Sequence, residues 1–134
     1  MRKTNTLFAL TLFISTFFFS CSKEDSMTQK LSRSWRIERF TQNGVDKTSE
    51  WNTAWVNYQI SFTKDNAFTE TATIAGFPVG RSGTWAFVNN FNNLQRIYND
   101  NGESQVFKLE SLSSSKLVVS QSGTNQDEWT LKSL

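Results

Sequence analysis

The strongest constraint on this chain is a succession of short segments, from residue 34 onward, in which apolar and polar residues alternate between turn-forming residues. Trp35-Arg36-Ile37-Glu38 opens the first, which runs to Asn43-Gly44. Tyr58, Ile60 and Phe62 share one face of the second, and Lys64-Asp65-Asn66 follows as a tight turn, because Asp and Asn tolerate left-handed backbone. Phe68 to Ile74 reads as a third strand, and Gly76 to Gly83 as a glycine-punctuated loop holding the only proline, Pro78. Trp85 and Phe87 alternate on the fourth, and "NNFNN" and "NDNG" bracket a fifth at Leu94 to Tyr98. Phe107 with Leu109, Leu117 with Val119 and Trp129 with Leu131 mark the last three. A period of two is the period of a strand with one buried face. Most connections are a few residues long, whereas parallel pairing needs a crossover of about a dozen, so neighbours are expected to pair antiparallel. Eight such strands close into an up-and-down barrel or stack as a sandwich. Closure removes the exposed edges, and a barrel of about eight strands is either filled by side chains or holds one small ligand.

At this level the chain resembles the lipocalin-like domains of Bacteroidota lipoproteins. The resemblance rests on "LSRSW" opening the first strand, "YQISFTKDNAF" across the second hairpin and "GTW" in the fourth strand. "FKLESLSSSKLVV" and "EWTLKSL" match the sixth hairpin and the last strand. It spans most of residues 31–134 and departs at Ser34 and Asn66, where the family usually has Gly. It implies an all-β domain over residues 34–134, an antiparallel eight-stranded up-and-down barrel.

The chain's start is built differently. Arg2 and Lys3 precede an uncharged apolar run from Leu7 to Phe19, which ends at Ser20-Cys21. As a helix the run would be roughly 20 Å long, against about 30 Å of bilayer hydrocarbon, which suits a secretion signal better than a membrane span. With the only cysteine at its end, the stretch resembles the lipobox of bacterial lipoproteins. That resemblance implies a signal peptide at 1–20, cleavage before Cys21, acylation of Cys21 and attachment to the membrane through the N-terminal lipid. Residues 21–33 are then the lipidated N-terminus and a linker. Ser22-Lys23-Glu24-Asp25 resembles the export signal of Bacteroidota surface lipoproteins, which implies an outer-membrane location facing the exterior. As a plain solvated linker the cluster would instead be compatible with the periplasmic face. Asp25-Ser26-Met27 is similar to the O-glycosylation acceptor of the same phylum, with Ser26 as the acceptor.

The full chain carries a formal charge of +2. Arg2 and Lys3 would leave with the signal, so the remaining domain is near neutral, with scattered charges and no basic face for nucleic acid. With no histidine and one cysteine, the chain lacks the Ser-His and Cys-His nucleophile systems and the common soft-metal sites. Asp127 and Glu128 are adjacent, so on a strand they point to opposite faces and do not act as an acid–base pair. We expect no catalytic residue, metal or cofactor.

Two sets of residues remain as candidates for binding. Glu70 shares strand parity with Phe68, Ala72 and Ile74, and Arg39 with Trp35 and Ile37. A buried carboxylate needs a partner, which Arg39 or Arg96 could supply, giving a polar spot in a ligand cavity. The other reading places all three at a rim, or lets a bulge shift their parity. The longest connection, Asn43 to Val56, contains "TSEWNTAW", with Trp51 and Trp55 on one face of a helical turn that Ser49 could cap. The lipocalin resemblance implies a lid over the barrel mouth; simple packing would make the two tryptophans a plug. Phe77 is expected on the same rim, and Arg33 or Lys132 over the Trp35 ring. The partner is accordingly a small apolar ligand inside the barrel, or another protein against its outer loops.

Overall fold

The structure is a computed structural model that describes residues 22–134. Cys21 and the apolar run before it lie outside the described residues. Helix α1 (Lys23–Leu31) leads into β1 (Ser34–Gln42), and a two-residue β2 (Val45–Asp46) precedes α2 (Thr48–Ala54). Seven strands follow: β3 (Val56–Phe62), β4 (Ala67–Ile74), β5 (Phe77–Val88), β6 (Asn93–Tyr98), β7 (Ser104–Leu112), β8 (Lys116–Ser122) and β9 (Gln126–Ser133). β1 and β3 to β9 pair in sequence order, every pair antiparallel, and β9 returns to β1 with Trp35 opposite Ser133 and Gln42 opposite Asp127. The result is a closed eight-stranded up-and-down barrel, with β2 as a short extra strand outside the ring.

The turns follow from local chemistry. Asn43 and Gly44 have φ of 52° and 79°, the two left-handed residues that a two-residue hairpin requires. Asn66, at φ 61°, takes the left-handed position that the "TKDNA" turn needs, and its side chain donates to the Trp85 carbonyl at 3.2 Å.

One expected loop is absent. Residues 77–83 are the first half of β5, and the connection to β4 is only Ala75-Gly76, at φ 50° and 82°. Two features hide this strand. Gly83 lies where strands approach so closely that a Cβ would stand 1.9 Å from the Ile97 carbonyl oxygen. Pro78 lies where β5 has β4 beside it but β6 does not begin to pair until Gly83, so the missing N–H leaves no ladder bond unmade. The β4–β5 hairpin therefore projects beyond β6.

Most of the expected linker, Lys23–Leu31, is helical. Ser22 caps α1 by accepting from the Asp25 N–H at 3.1 Å, with Glu24 and Asp25 in the first turn and Lys30 in the last, the charge order that the helix dipole favours. Leu31, fully buried, is driven into the barrel end below Trp35, whose indole N–H donates to the Leu31 carbonyl at 3.0 Å. Arg33 covers the Trp35 ring at 5.9 Å and donates to the Ser114 and Gln29 carbonyls. Trp85, Phe62 and Phe68 continue the filling above this layer. The α1 end of the barrel is solid.

Arg39 is corrected here. A bulge between Ile37 and Arg39 breaks the alternation of β1, turning Phe40 inward and Arg39 out, where its half-exposed guanidinium meets Asp46 at 3.4 Å.

Candidate functional site

The opposite end of the barrel is hollow. A cavity of about 240 Å³ opens to solvent there and reaches inward to Ile60, Leu94, Leu117 and Leu131. Its walls are the inward faces of the strands, and α2 lies over its mouth.

Helix α2 is positioned by Asp46, whose carboxylate accepts from the Thr48 N–H at 2.9 Å and the Thr48 hydroxyl at 2.6 Å. Those bonds hold the Asp46 carboxyl below its usual range, first through the Thr48 hydroxyl. Asp46, not Ser49, thus starts α2. Trp51 and Trp55 stack at 5.5 Å between ring centroids, and both line the cavity. Trp51 also rests against Phe40 at 5.0 Å, Tyr58 at 5.9 Å and Trp129 at 6.0 Å. Its indole N–H is buried with no hydrogen-bond acceptor among the described residues. Phe77 sits at this end too, at the tip of the β4–β5 hairpin, but it is 72% exposed and does not line the cavity.

Glu70 is inside. No bulge interrupts the pairing of β4 with β5, so its parity with Phe68 and Ala72 holds, and the three are buried together. One carboxylate oxygen accepts from the Tyr98 hydroxyl at 2.6 Å; the other accepts from the Tyr58 hydroxyl at 2.9 Å and from Arg96 Nη1 at 3.0 Å. Arg96 also donates through Nε and Nη2 to the Gln105 side-chain oxygen at 3.0 and 2.8 Å. Its guanidinium lies 5.0 Å from the centre of the Phe107 ring. Arg81 covers Tyr98 at 3.5 Å and is held from outside by Asp100, at 3.1 Å from both Nε and Nη2.

Burial pushes both phenols well above the ordinary tyrosine range, and the Glu70 carboxylate beside each adds to the shift. The ion pair in their midst is buried on both sides and hydrogen-bonded throughout, the condition under which such a pair is tolerated.

Of the residues singled out from sequence, the structure thus brings Trp51, Trp55, Glu70 and Arg96 to one cavity and places Phe77 and Arg39 outside it. Tyr58, Tyr98, Arg81 and Gln105 complete the polar cluster and were not foreseen. A signal existed for Tyr58, which shares a strand face with Ile60 and Phe62. Ser22, Lys23, Glu24 and Asp25 are exposed at the start of α1, at the far end of the barrel, where Lys23 lies 5.2 Å from the Phe91 ring centre. Ser26 is partly buried in the same helix. Among the described residues no group of three His, Cys, Asp or Glu side chains is placed to hold a metal ion.

The sequence profile of a family described as "Lipocalin-like domain" matches residues 31–119. No curated protein sequence matches the chain. Among solved structures, a lipocalin-like protein from Bacteroides uniformis is 17% identical, with 78% of this chain and 99% of that one covered at a TM-score of 0.56. A DUF4847 family protein from Bacteroides vulgatus is 14% identical, covering 76% and 92%, with a TM-score of 0.53. Bovine odorant binding protein, in complex with a selenium-containing odorant, is 16% identical, covering 80% and 72%, with a TM-score of 0.52. At these identities the likeness is one of fold.

Proposed function

Because the chain belongs to the family of lipocalin-like domains, we propose that it is a non-catalytic binding module of the cell envelope whose barrel carries a small, largely apolar ligand. The observation that carries this reading is the cavity of about 240 Å³. It exceeds the roughly 150 Å³ that admits benzene and falls below the roughly 300 Å³ at which pockets for drug-sized molecules begin. Its floor is aliphatic and its mouth aromatic, and the charges inside it are paired. Lipid attachment at Cys21, export through Ser22 to Asp25 to the outer face of the outer membrane and glycosylation at Ser26 belong to the same proposal. They rest on the sequence resemblance alone. Two or three acyl chains at about 0.8 kcal/mol per methylene would make the attachment durable.

A second reading, capture of a partner protein, draws on Phe77, Val79 and Val56, which are exposed near the barrel mouth. The two are separated by titrating the full chain with a single-ring apolar probe, ethylbenzene, and following the indole N–H signals by NMR. Carriage predicts saturable shifts that disappear in Val119→Phe, where a larger side chain occupies the cavity. Linear, unsaturated shifts in the wild type would leave the partner reading as the better one.

A further inference from the structure

Resting on the carriage reading above, we propose that the ligand is elongated: a compact apolar end fills the cavity, and an alkyl stretch leaves by the mouth along the inner face of the β4–β5 hairpin. Any polar group stands at the far end of that stretch, in water.

The ledge is a continuation of the cavity wall. Glu70 and Arg81, opposite each other on β4 and β5, both line the cavity. Ala72 opposite Val79 and Ile74 opposite Phe77 are the next two pairs on the same face, because no bulge interrupts this pairing and strand side chains repeat every second residue. Exposure along that face rises from 7% at Ala72 to 38% at Val79 and 72% at Phe77, since β6 does not pair with β5 beyond Gly83. The wall thus leaves the barrel and stays apolar, with no charge from Thr71 to Gly80. Among the described residues Phe77 is the most exposed large hydrophobic side chain. Single exposed apolar residues are ordinary, but a run that carries a cavity wall into solvent has the character of a binding groove.

The cavity and the ledge are joined. A depression of about 20 Å³ lies under Val79, and it shares Trp55, Tyr58, Glu70 and Arg81 with the main cavity. It has room for about one water-sized group, which admits a methylene and not a ring. From Arg81 to Phe77 the strand runs about 13 Å, at about 3.3 Å per residue. The hairpin is paired to its tip and closed by Ala75 and Gly76 in left-handed conformations, so the ledge is formed before a ligand arrives. Little ordering entropy then opposes binding along it.

The polar groups inside the cavity determine which end enters. Glu70 accepts from Tyr58, Tyr98 and Arg96, and Arg96 also donates to Gln105. These groups are spent on one another, so a polar end brought among them loses its water for little return. At Phe77 the same end stays hydrated.

The test uses the full chain in mild detergent with 2-phenylethanol, 4-phenylbutanol and 6-phenylhexanol, which share a ring and a hydroxyl and differ only in methylenes. Equilibrium dialysis, with detergent alone as the blank, gives affinities for the free aqueous alcohol. A fully enclosed methylene tightens binding about fourfold and one left in water not at all; a ledge covers one side, so about twofold for each is expected. With Phe77→Ser and Val79→Ser together, the gain per methylene should fall toward one while 2-phenylethanol binds as before. In the wild type, nuclear Overhauser effects from the chain protons of bound 6-phenylhexanol should reach the Val79 methyl groups. If 2-phenylethanol binds but the wild-type series is flat, or rises equally in the double variant, or shows no contact at Val79, carriage stands and this inference is overturned. If no member of the series binds, carriage itself fails and the inference with it. The wild-type affinities and contacts decide the matter even if the variant does not fold.

Discussion

Tyr58 and Tyr98 are the only tyrosines in the chain, and both donate to Glu70 inside the cavity, so phenol ionisation reports on this cluster and nothing else. A free phenol ionises near pH 10. Burial, with Glu70 beside each ring, raises both folded values above that, while Arg96 and Arg81 pull against the rise. Below pH 10 the folded and unfolded chains both hold these protons, and the phenols add no pH dependence. Above it the unfolded chain releases them first, so stability is lost as pH rises from about 10 toward the folded values. Absorbance at 295 nm should rise near pH 10 in urea and only at a higher pH in the folded protein. A phenol titrating near 10 in the folded state would show that the cluster is wet and open. At this scale the sequence is readable only where the strand is regular. Glu70 could be placed by parity because β4 has no bulge against β5, and Arg39 could not because β1 has one after Ile37. The partners of Glu70 come from β3 and β6, and no local pattern announces which residues of other strands will meet inside a barrel.

Strand alternation and the short turns were legible because each element satisfies its own backbone: Asn43-Gly44 and Asn66 take left-handed positions that few other residues accept. The first half of β5 was not, since Gly80, Gly83 and Pro78 are turn residues unless a neighbouring strand explains them. Gly83 is explained by the Ile97 carbonyl, a contact made only after the barrel closes. Helix α1 was hidden differently. Its cap, Ser22 with Asp25 three residues on, is present in the sequence, but a charged stretch before a domain also reads as a linker. What fixes the helix is tertiary, the burial of Leu31 beneath Trp35. Leu31→Ala should therefore cost about 2–5 kcal/mol in urea unfolding, the range for deleting a large aliphatic side chain from a packed core. It should do so while leaving binding at the other end in place. A loss below about 1 kcal/mol, the size of a surface effect, would mean that α1 does not close the barrel.

The molecule is asymmetric from end to end, solid at α1 and hollow at α2, and the asymmetry has a consequence for a chain anchored by its N-terminus. Ser22 caps α1, and both ends of that helix touch the solid end: Leu31 beneath Trp35, and Lys23 at the Phe91 ring. Cys21 precedes Ser22 by one residue, about 3.8 Å between Cα atoms. A lipid on Cys21 would thus hold the solid end against the bilayer and turn the mouth away from it. β5 spans the barrel from Phe77 at the mouth to Val88 at the solid end. At about 3.3 Å per residue and a tilt near 40°, that is about 30 Å along the axis. The ligand would then be taken from the aqueous side and not from the lipid. To check this, the lipidated protein is reconstituted in vesicles with nitroxide-labelled headgroups, carrying a fluorophore at Phe77→Cys or, separately, at Lys64→Cys in the β3–β4 turn of the solid end. Quenching should be strong at position 64 and weak at 77, because a separation of about 30 Å exceeds the contact range of a nitroxide. Stronger quenching at 77 would place the mouth at the membrane. The cavity would then be fed by lipid, and the orientation argued from α1 would be wrong.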